Sequence, residues 1–371
     1  MIPFRTLADI RALEAQPYDE QIPARSPYGL IARAARQFAD RNAFVYLRSG
    51  EPDQAPERVS YAQLLAQIHR AANLFRSLGV GADDAVAILA PNIPQAHYAL
   101  WGAQLAGRAC PLNYLLHPEH IAGLLEASGA KVIVALGPNS ELDLWPTLGQ
   151  VLALKPLPVI VISVAGAPPH DAMDFEQALQ GQSAALDFAP LLAPDRIAAC
   201  YHTGGTTGAP KLALHTQGNE AHTAWFAPFH YGFDPGTVEI NGFPLFHVAG
   251  AFVYGLALLA IGATQVLPTL TGMRNPVFVR NYWKFCERYR VTALACVPTI
   301  LATLSNTPVD ADIASVRVAY TGGSPLPTEL AAQFEKRTGI PVRNILGMTE
   351  CAGLISVEPF HAPPACGLRT S

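Results

Sequence analysis

The run IAACYHTGGTTGAPK, residues 197–211, reads as a strand that ends in a loop with almost no side-chain bulk. The segment IAACYH is mostly apolar and of strand length. The loop behind it, Thr203 to Lys211, gathers glycines and threonines ahead of Pro210 and a single lysine. Without Cβ atoms, Gly204, Gly205 and Gly208 let backbone N–H groups come close to a ligand. Thr203, Thr206 and Thr207 add hydroxyl donors, and Lys211 adds a positive charge. An oligophosphate, whose oxygens are acceptors only, suits such a set of donors. Two other phosphate loops are excluded by the residues themselves. Pro210 precedes Lys211 and Leu212 follows it, so there is no Gly-Lys-Ser/Thr, and the pattern G-x-G-x-x-G is absent. Glycine and threonine also make ordinary surface turns. The strand–glycine–lysine order favours a nucleotide-phosphate loop over a plain turn.

Outward from this loop the chain alternates strand-like and helix-like segments. DAVAIL, KVIVAL, LPVIVIS, TVEINGF, TALACV, SVRVAY and PVRNIL read as strands. Most are continuously apolar, as strands covered on both faces are. Ser60 and Gln63 have capping-box spacing, Tyr61, Leu64, Leu65, Ile68, Ala72, Phe75 and Leu78 recur at helical intervals, and Gly79 supplies a stop. A second helix is expected over about 94–106. The class is α/β, with two packed α/β subdomains and largely parallel sheets. A boundary near 183–195 divides them into residues 1–190 and 191–371, the second carrying the phosphate loop.

Composition narrows the function. Half of the 371 residues are hydrophobic, 15% are charged and the formal net charge is −4. There is no basic stripe interleaved with aromatics, so nucleic acid is not an expected partner. Six cysteines occur without a C-x-x-C pair, which speaks for a reducing cytoplasm and against a structural zinc. No charged residue occurs from Ile240 to Met273. Prolines, His247 and Gln265 interrupt that stretch, so VAGAFVYGLALLAIGA is expected to be a buried core helix and not a membrane span. His117 and His120 have metal-site spacing but lack a third ligand nearby and read as surface residues.

TGGTTGAPK resembles the signature of the adenylate-forming, AMP-binding superfamily, which includes acyl-CoA synthetases. Three further segments resemble that family in its order: PLFHVAG at 244–250, YTGGSPLP at 320–327 and LGMTECAG at 346–353. SYAQLLAQIHRAANLFRSLGV and APNIPQAHYALWGAQLAG also read like its N-terminal part. The chain is most similar to a bacterial acyl-CoA synthetase. The resemblance implies that a carboxylic acid and ATP form an acyl-adenylate and pyrophosphate, after which coenzyme A takes the acyl group.

By that resemblance Thr203, Gly204, Gly205, Thr206, Thr207, Gly208 and Lys211 cradle phosphates. Thr349 contacts the α-phosphate and Glu350 helps hold Mg²⁺, a hard cation that prefers oxygen. Gly322, Gly323, Ser324, Leu346 and Gly347 border the nucleotide. His247 flanks the carboxylate and the route of the thiol, and residues 248–254 with Gly322 shape the acyl pocket. The expected catalytic set is Thr349, Glu350, His247 and Lys211, and the expected cofactors are ATP, Mg²⁺ and coenzyme A. The uncharged stretch points to a fatty or otherwise apolar acid. A homodimer is one arrangement open to the chain.

Three positions depart from the family pattern. Leu346 stands where an aromatic usually stacks on adenine, Gly204 replaces a serine, and Leu212 replaces the glycine after the lysine. The family's Tyr-x-x-Thr-Gly-Asp segment, its hinge and its C-terminal lid domain have no counterpart up to Ser371. A fragment of a longer enzyme is therefore expected, unable by itself to run the full reaction at a useful rate. The alternatives are a truncated relative that binds ATP or an acyl group without turnover, and an adenylation enzyme that loads a carrier protein. An unrelated NTP hydrolase is disfavoured by the loop.

Overall fold

A computed structural model describes residues 6–154, 160–166, 168, 172–204, 210–360 and 369–370. Its strands in chain order are β1 (Asn42–Tyr46), β2 (Glu57–Ser60), β3 (Ala85–Leu89), β4 (Arg108–Pro111), β5 (Ala130–Leu136), β6 (Ile160–Val164), β7 (Met173–Asp174), β8 (Ile197–Thr203) and β9 (Lys211–Thr216). They continue with β10 (Val238–Ile240), β11 (Thr264–Leu267), β12 (Ala293–Cys296), β13 (Val318–Gly322), β14 (Leu326–Pro327), β15 (Val342–Met348), β16 (Gly353–Val357) and β17 (Arg369–Thr370). One sheet has the order β7-β6-β5-β3-β4-β8-β9 and another the order β16-β15-β13-β12-β10-β11-β1-β2; β14 pairs with β17 alone. Within each large sheet neighbouring strands run parallel, except at β8–β9, β1–β2 and β15–β16. The α/β class with largely parallel sheets is as the sequence implies. Part of the expected strand LPVIVIS, residues 157–159, lies outside the described residues.

The sheets do not follow the expected division at 190/191. β1 and β2 lie before it yet complete the second sheet, where β1 runs beside β11. β8 and β9 lie after it yet complete the first sheet, where β8 runs beside β4. Apolar faces decide this placement. Ala199, Cys200 and Tyr201 of β8 are buried in the same cluster as Val86 and Ala109 of β3 and β4. The strands that flank the glycine-rich run therefore belong to the first sheet, not to the second.

The continuous apolar runs are buried on both faces. In β12, Ala293 and Ala295 join the larger core, while Leu294 and Cys296 join a second cluster with Trp283, Leu301 and Phe334. The helix Tyr61–Ser77 begins with the expected reciprocal cap: the Gln63 amide donates to the Ser60 hydroxyl at 3.2 Å, and the Ser60 amide donates to the Gln63 side chain at 2.8 Å. The helix Pro94–Ala106 also lies where expected.

Residues 248–263 of the uncharged stretch are buried, although His247 just before them is exposed, and among the described residues no helix is long and apolar enough to cross a membrane. It is not a plain α-helix, however. Ala249–Leu256 winds as a π-helix and passes into an α-helix only at Ala257–Ile261. Side chains from the sheet support the wide turn. The Asn241 amide donates to the Gly250 and Tyr254 carbonyls at 3.0 and 3.3 Å, and the Gln265 amide donates to the Gly255 carbonyl at 3.1 Å. Backbone contact also demands glycine here. A Cβ on Gly255 would stand 2.3 Å from the Gly250 carbonyl oxygen, and one on Gly250 would stand 2.4 Å from that of Pro244. Such wide turns commonly accompany functional sites.

Candidate active site

The C-terminal ends of parallel strands gather ligands in open α/β sheets. Five such ends meet here. β8 delivers Thr203 and Gly204, β10 leads to Phe243, Pro244 and His247, β12 to Val297, β13 to Gly322 and Gly323, and β15 to Gly347, Thr349 and Glu350. Together with the π-helix they enclose a cleft of ≈ 510 Å³. Val248, Ala249, Val253 and Tyr254 form its apolar part, and Thr203, Thr349 and Glu350 its polar part. A pocket of this size with a few convergent polar groups is the usual form of a small-molecule site.

Several candidates thus share one cavity: Thr203, Gly204, His247, Gly322, Gly323, Gly347, Thr349 and Glu350. Lys211 opens β9 directly across from Thr203, is exposed, and stands at the base of the hairpin. Gly205, Thr206, Thr207 and Gly208 lie outside the described residues. Ser324 is exposed and does not line the cleft. Leu346 does not line it either; it pairs with Ser356 on β16 and is 50% exposed. His117 and His120 are exposed at the start of the helix Pro118–Ser128, and no cluster of three metal-ligating side chains occurs among the described residues.

His247 has a defined protonation. The Ala249 amide donates to its Nδ1 at 3.1 Å, so that nitrogen is bare and the proton sits on Nε2. Surrounding protein disfavours the charged form and lowers its pKa from the ordinary histidine value. The neutral ring can therefore offer one N–H donor in the cleft.

The Thr349–Cys351 segment is a tight 3-10 turn after β15. The Ala352 amide closes it by donating to the Thr349 carbonyl at 3.1 Å. A second donor reaches the same carbonyl: His215 Nε2, at 2.6 Å, from near the C-terminal end of β9. Since a carbonyl can only accept, His215 carries its proton on Nε2. His215 is fully buried, stacked on Tyr201 with ring centroids 5.1 Å apart, and burial lowers its pKa. Behind it lies Glu220, also fully buried, with Oε1 3.8 Å from His215 Nδ1. Gln104 donates to Glu220 Oε2 at 2.8 Å, and burial pushes the Glu220 pKa well above the ordinary value. The Thr223 hydroxyl donates to the Cys351 carbonyl at 3.3 Å. Sequence reasoning missed His215, Glu220 and Gln104. The only signal was the occurrence of polar residues, HTQGNE, directly behind a strand.

A protein-family model described as AMP-binding enzyme matches residues 31–370. The marinolic acid–CoA ligase of Pseudoalteromonas sp. (strain SANK 73390) is 32% identical over 98% of this chain and 56% of its own length. The sulfoacetate–CoA ligase of Cupriavidus necator is 29% identical over 89% of this chain and 61% of its own length. The chain thus spans less than two thirds of the length of these relatives. In fold it is similar to the crystal structure of an anthranilate CoA ligase in complex with anthranoyl-AMP, with a TM-score of 0.81, 19% identity, and coverage of 93% of this chain and 64% of that one.

Proposed function

Because the chain belongs to the AMP-binding enzyme family, we propose that its cleft is where a carboxylic acid and ATP meet to form an acyl-adenylate that is then passed to coenzyme A. The observation that carries this reading is the joining of an apolar wall, Val248 to Tyr254, and a polar rim, Thr203, Thr349 and Glu350, in one cavity. A carboxylate oxygen attacks the α-phosphorus of ATP. The bond from that phosphorus to the bridging oxygen breaks, and pyrophosphate leaves with the electron pair. The thiol of coenzyme A then displaces AMP from the acyl carbon and gives up its proton.

This chemistry needs positioning and charge control more than a protein nucleophile. In this reading the glycine-rich hairpin and Lys211 hold the β- and γ-phosphates, and Thr349 contacts the α-phosphate. His247, neutral and protonated on Nε2, donates to a carboxylate oxygen of the acid. The carboxylate of Glu350 and the hydroxyl of Thr349 are hard oxygen donors on the cleft wall, a set that fits Mg²⁺, which binds through one or two carboxylates plus substrate phosphates. Bound there, Mg²⁺ would neutralise phosphate charge. Apolar lining from Val248, Ala249, Val253 and Val297 supports a fatty or other apolar acid. The relatives' names support coenzyme A as the acceptor.

Carboxylate-dependent ATP–pyrophosphate exchange tests the reading, on the longest product of this reading frame with a panel of fatty and aromatic acids. Exchange that requires an acid and falls at least a hundredfold in both Lys211→Ala and Glu350→Ala is expected, since removal of one electrostatic contact of this kind costs roughly 10²–10³ in rate. Nucleotide binding without exchange for any acid would instead identify a binding protein.

A further inference from the structure

One carbonyl links the two halves of the site. Thr349 O accepts both from the Ala352 amide, which closes the turn, and from His215 Nε2, which comes from β9. Lys211, at the start of β9, lies on the same six-residue strand as His215. The strand that carries the loop lysine is thus bonded to the turn that carries Thr349 and Glu350. Their separation in sequence is large, 134 residues between His215 and Thr349, so no local preference fixes one against the other.

His215 is itself held in place. Tyr201 stacks on its ring, and the edge of Phe252 meets it with centroids 5.6 Å apart. Glu220 and Gln104 extend the line to the helix Pro94–Ala106. Three buried polar side chains in a row are costly to bury unless they fix something. Their end point is the turn.

We propose that His215 is a positioning residue of the site: through the Thr349 carbonyl it locks the Thr349–Glu350 turn to the strand that carries Lys211, so that hairpin and turn present their ligands in one fixed geometry. This rests on the reading of the cleft as an ATP site. His215 touches no substrate; it acts through the backbone of Thr349. Residues that orient ligand-contacting groups in this way typically change affinity or activity by about 10–100-fold when removed.

The test uses His215→Phe, which keeps the ring and loses the donor, and His215→Gln, whose amide reaches the same place as Nε2. Two readouts are needed. Amide hydrogen exchange at Ala352 reports the turn without any nucleotide. Pyrophosphate exchange gives KM for ATP, KM for the acid and kcat separately. In His215→Phe the Ala352 amide is expected to exchange at least tenfold faster, and KM for ATP to rise about tenfold with KM for the acid unchanged. His215→Gln is expected to restore both. Unchanged exchange at Ala352, or a fall in kcat alone with KM for ATP unmoved, would overturn the proposal. If the wild-type chain shows no acid-dependent exchange, the functional reading fails, while a faster Ala352 amide in His215→Phe still supports the lock between strand and turn. Should His215→Phe fail to fold, the comparison of His215→Gln with wild type decides it: a tenfold loss of ATP affinity in a folded Gln variant overturns the idea that a donor at this place suffices.

Discussion

The Asn241 amide, directly after β10, donates to the Gln265 side-chain oxygen on β11, 2.9 Å away, and both residues also hold carbonyls of the π-helix above them. This side-chain pair inside a sheet is what lets a wide helical turn form the apolar wall of the cleft. Asn241→Leu removes the donors to the Gly250 and Tyr254 carbonyls. A buried hydrogen bond contributes about 0.5–1.5 kcal/mol net, so losing these two should cost about 1–3 kcal/mol in urea unfolding. Gln265→Met, which strands fewer groups, should cost less.

A matched pair of glycine substitutions tests the close backbone contacts of the same turn. Gly255→Ala places a methyl group 2.3 Å from a carbonyl oxygen, and overpacking of this kind costs about 1–3 kcal/mol. Gly123 lies in the helix Pro118–Ser128 with nothing within 4 Å of its would-be Cβ. Gly123→Ala should therefore stabilise by about 0.5–1 kcal/mol. Thermal melts of the two variants should move in opposite directions.

Glu239 predicts a pH dependence. It is fully buried in β10, its oxygens have no hydrogen-bond partner among the described residues, and burial raises its pKa well above 4.5. The folded state therefore keeps a proton that the unfolded chain releases above about pH 4.5. Stability from this group is full below that pH and is lost as pH rises toward the raised value. Glu239→Gln removes the titration. Its stability relative to wild type should grow between pH 5 and 8, by at most about 1.4 kcal/mol per pH unit. A constant difference across that range would refute the assignment.

His97 predicts the opposite slope. Its Nε2 donates to the Asn92 side-chain oxygen at 2.9 Å, and full burial lowers its pKa to about 3. The unfolded chain binds a proton near pH 6.5 that the folded state refuses. Stability is full above pH 6.5 and falls as pH drops toward 3. His97→Gln keeps a donor in place and should flatten the acid side of the stability profile by about one proton, as read from unfolding midpoints at pH 4 to 6.5.

The sequence made some of this visible and hid the rest for identifiable reasons. The strand ahead of the glycine run, the Ser60 cap and the both-faces-buried strands each had a local pattern to read, while the grouping of Thr203, His247, Gly322 and Thr349 came from the order of the family's motifs. The allocation of strands to sheets had none, because β1 and β8 are placed by partners far along the chain. The π-helix was hidden too: Gly250 and Gly255 permit it, but the side chains that hold its carbonyls, Asn241 just after β10 and Gln265 on β11, lie outside it. The line Gln104–Glu220–His215 spans 116 residues between its first two members, and no periodicity reports such a contact. Leu346 followed the family's order of motifs, yet its side chain is half exposed and does not line the cleft.

The pairing of Phe44 with Gln265 across β1 and β11 has a consequence for how the chain is made. At roughly 5–20 residues per second of synthesis, the ribosome needs on the order of ten to forty seconds after β1 emerges before its parallel partner β11 exists. Throughout that interval an apolar strand, with Phe44, Val45 and Tyr46 all destined for burial, has only the adjacent β2 to pair with and one open edge. Two polar members of the cleft wall, Thr349 and Glu350, come later still. The cleft therefore cannot be completed on the ribosome until Thr349 and Glu350 have followed both sheets out, and nascent chains that have reached β1 but not β11 should be bound by holding chaperones.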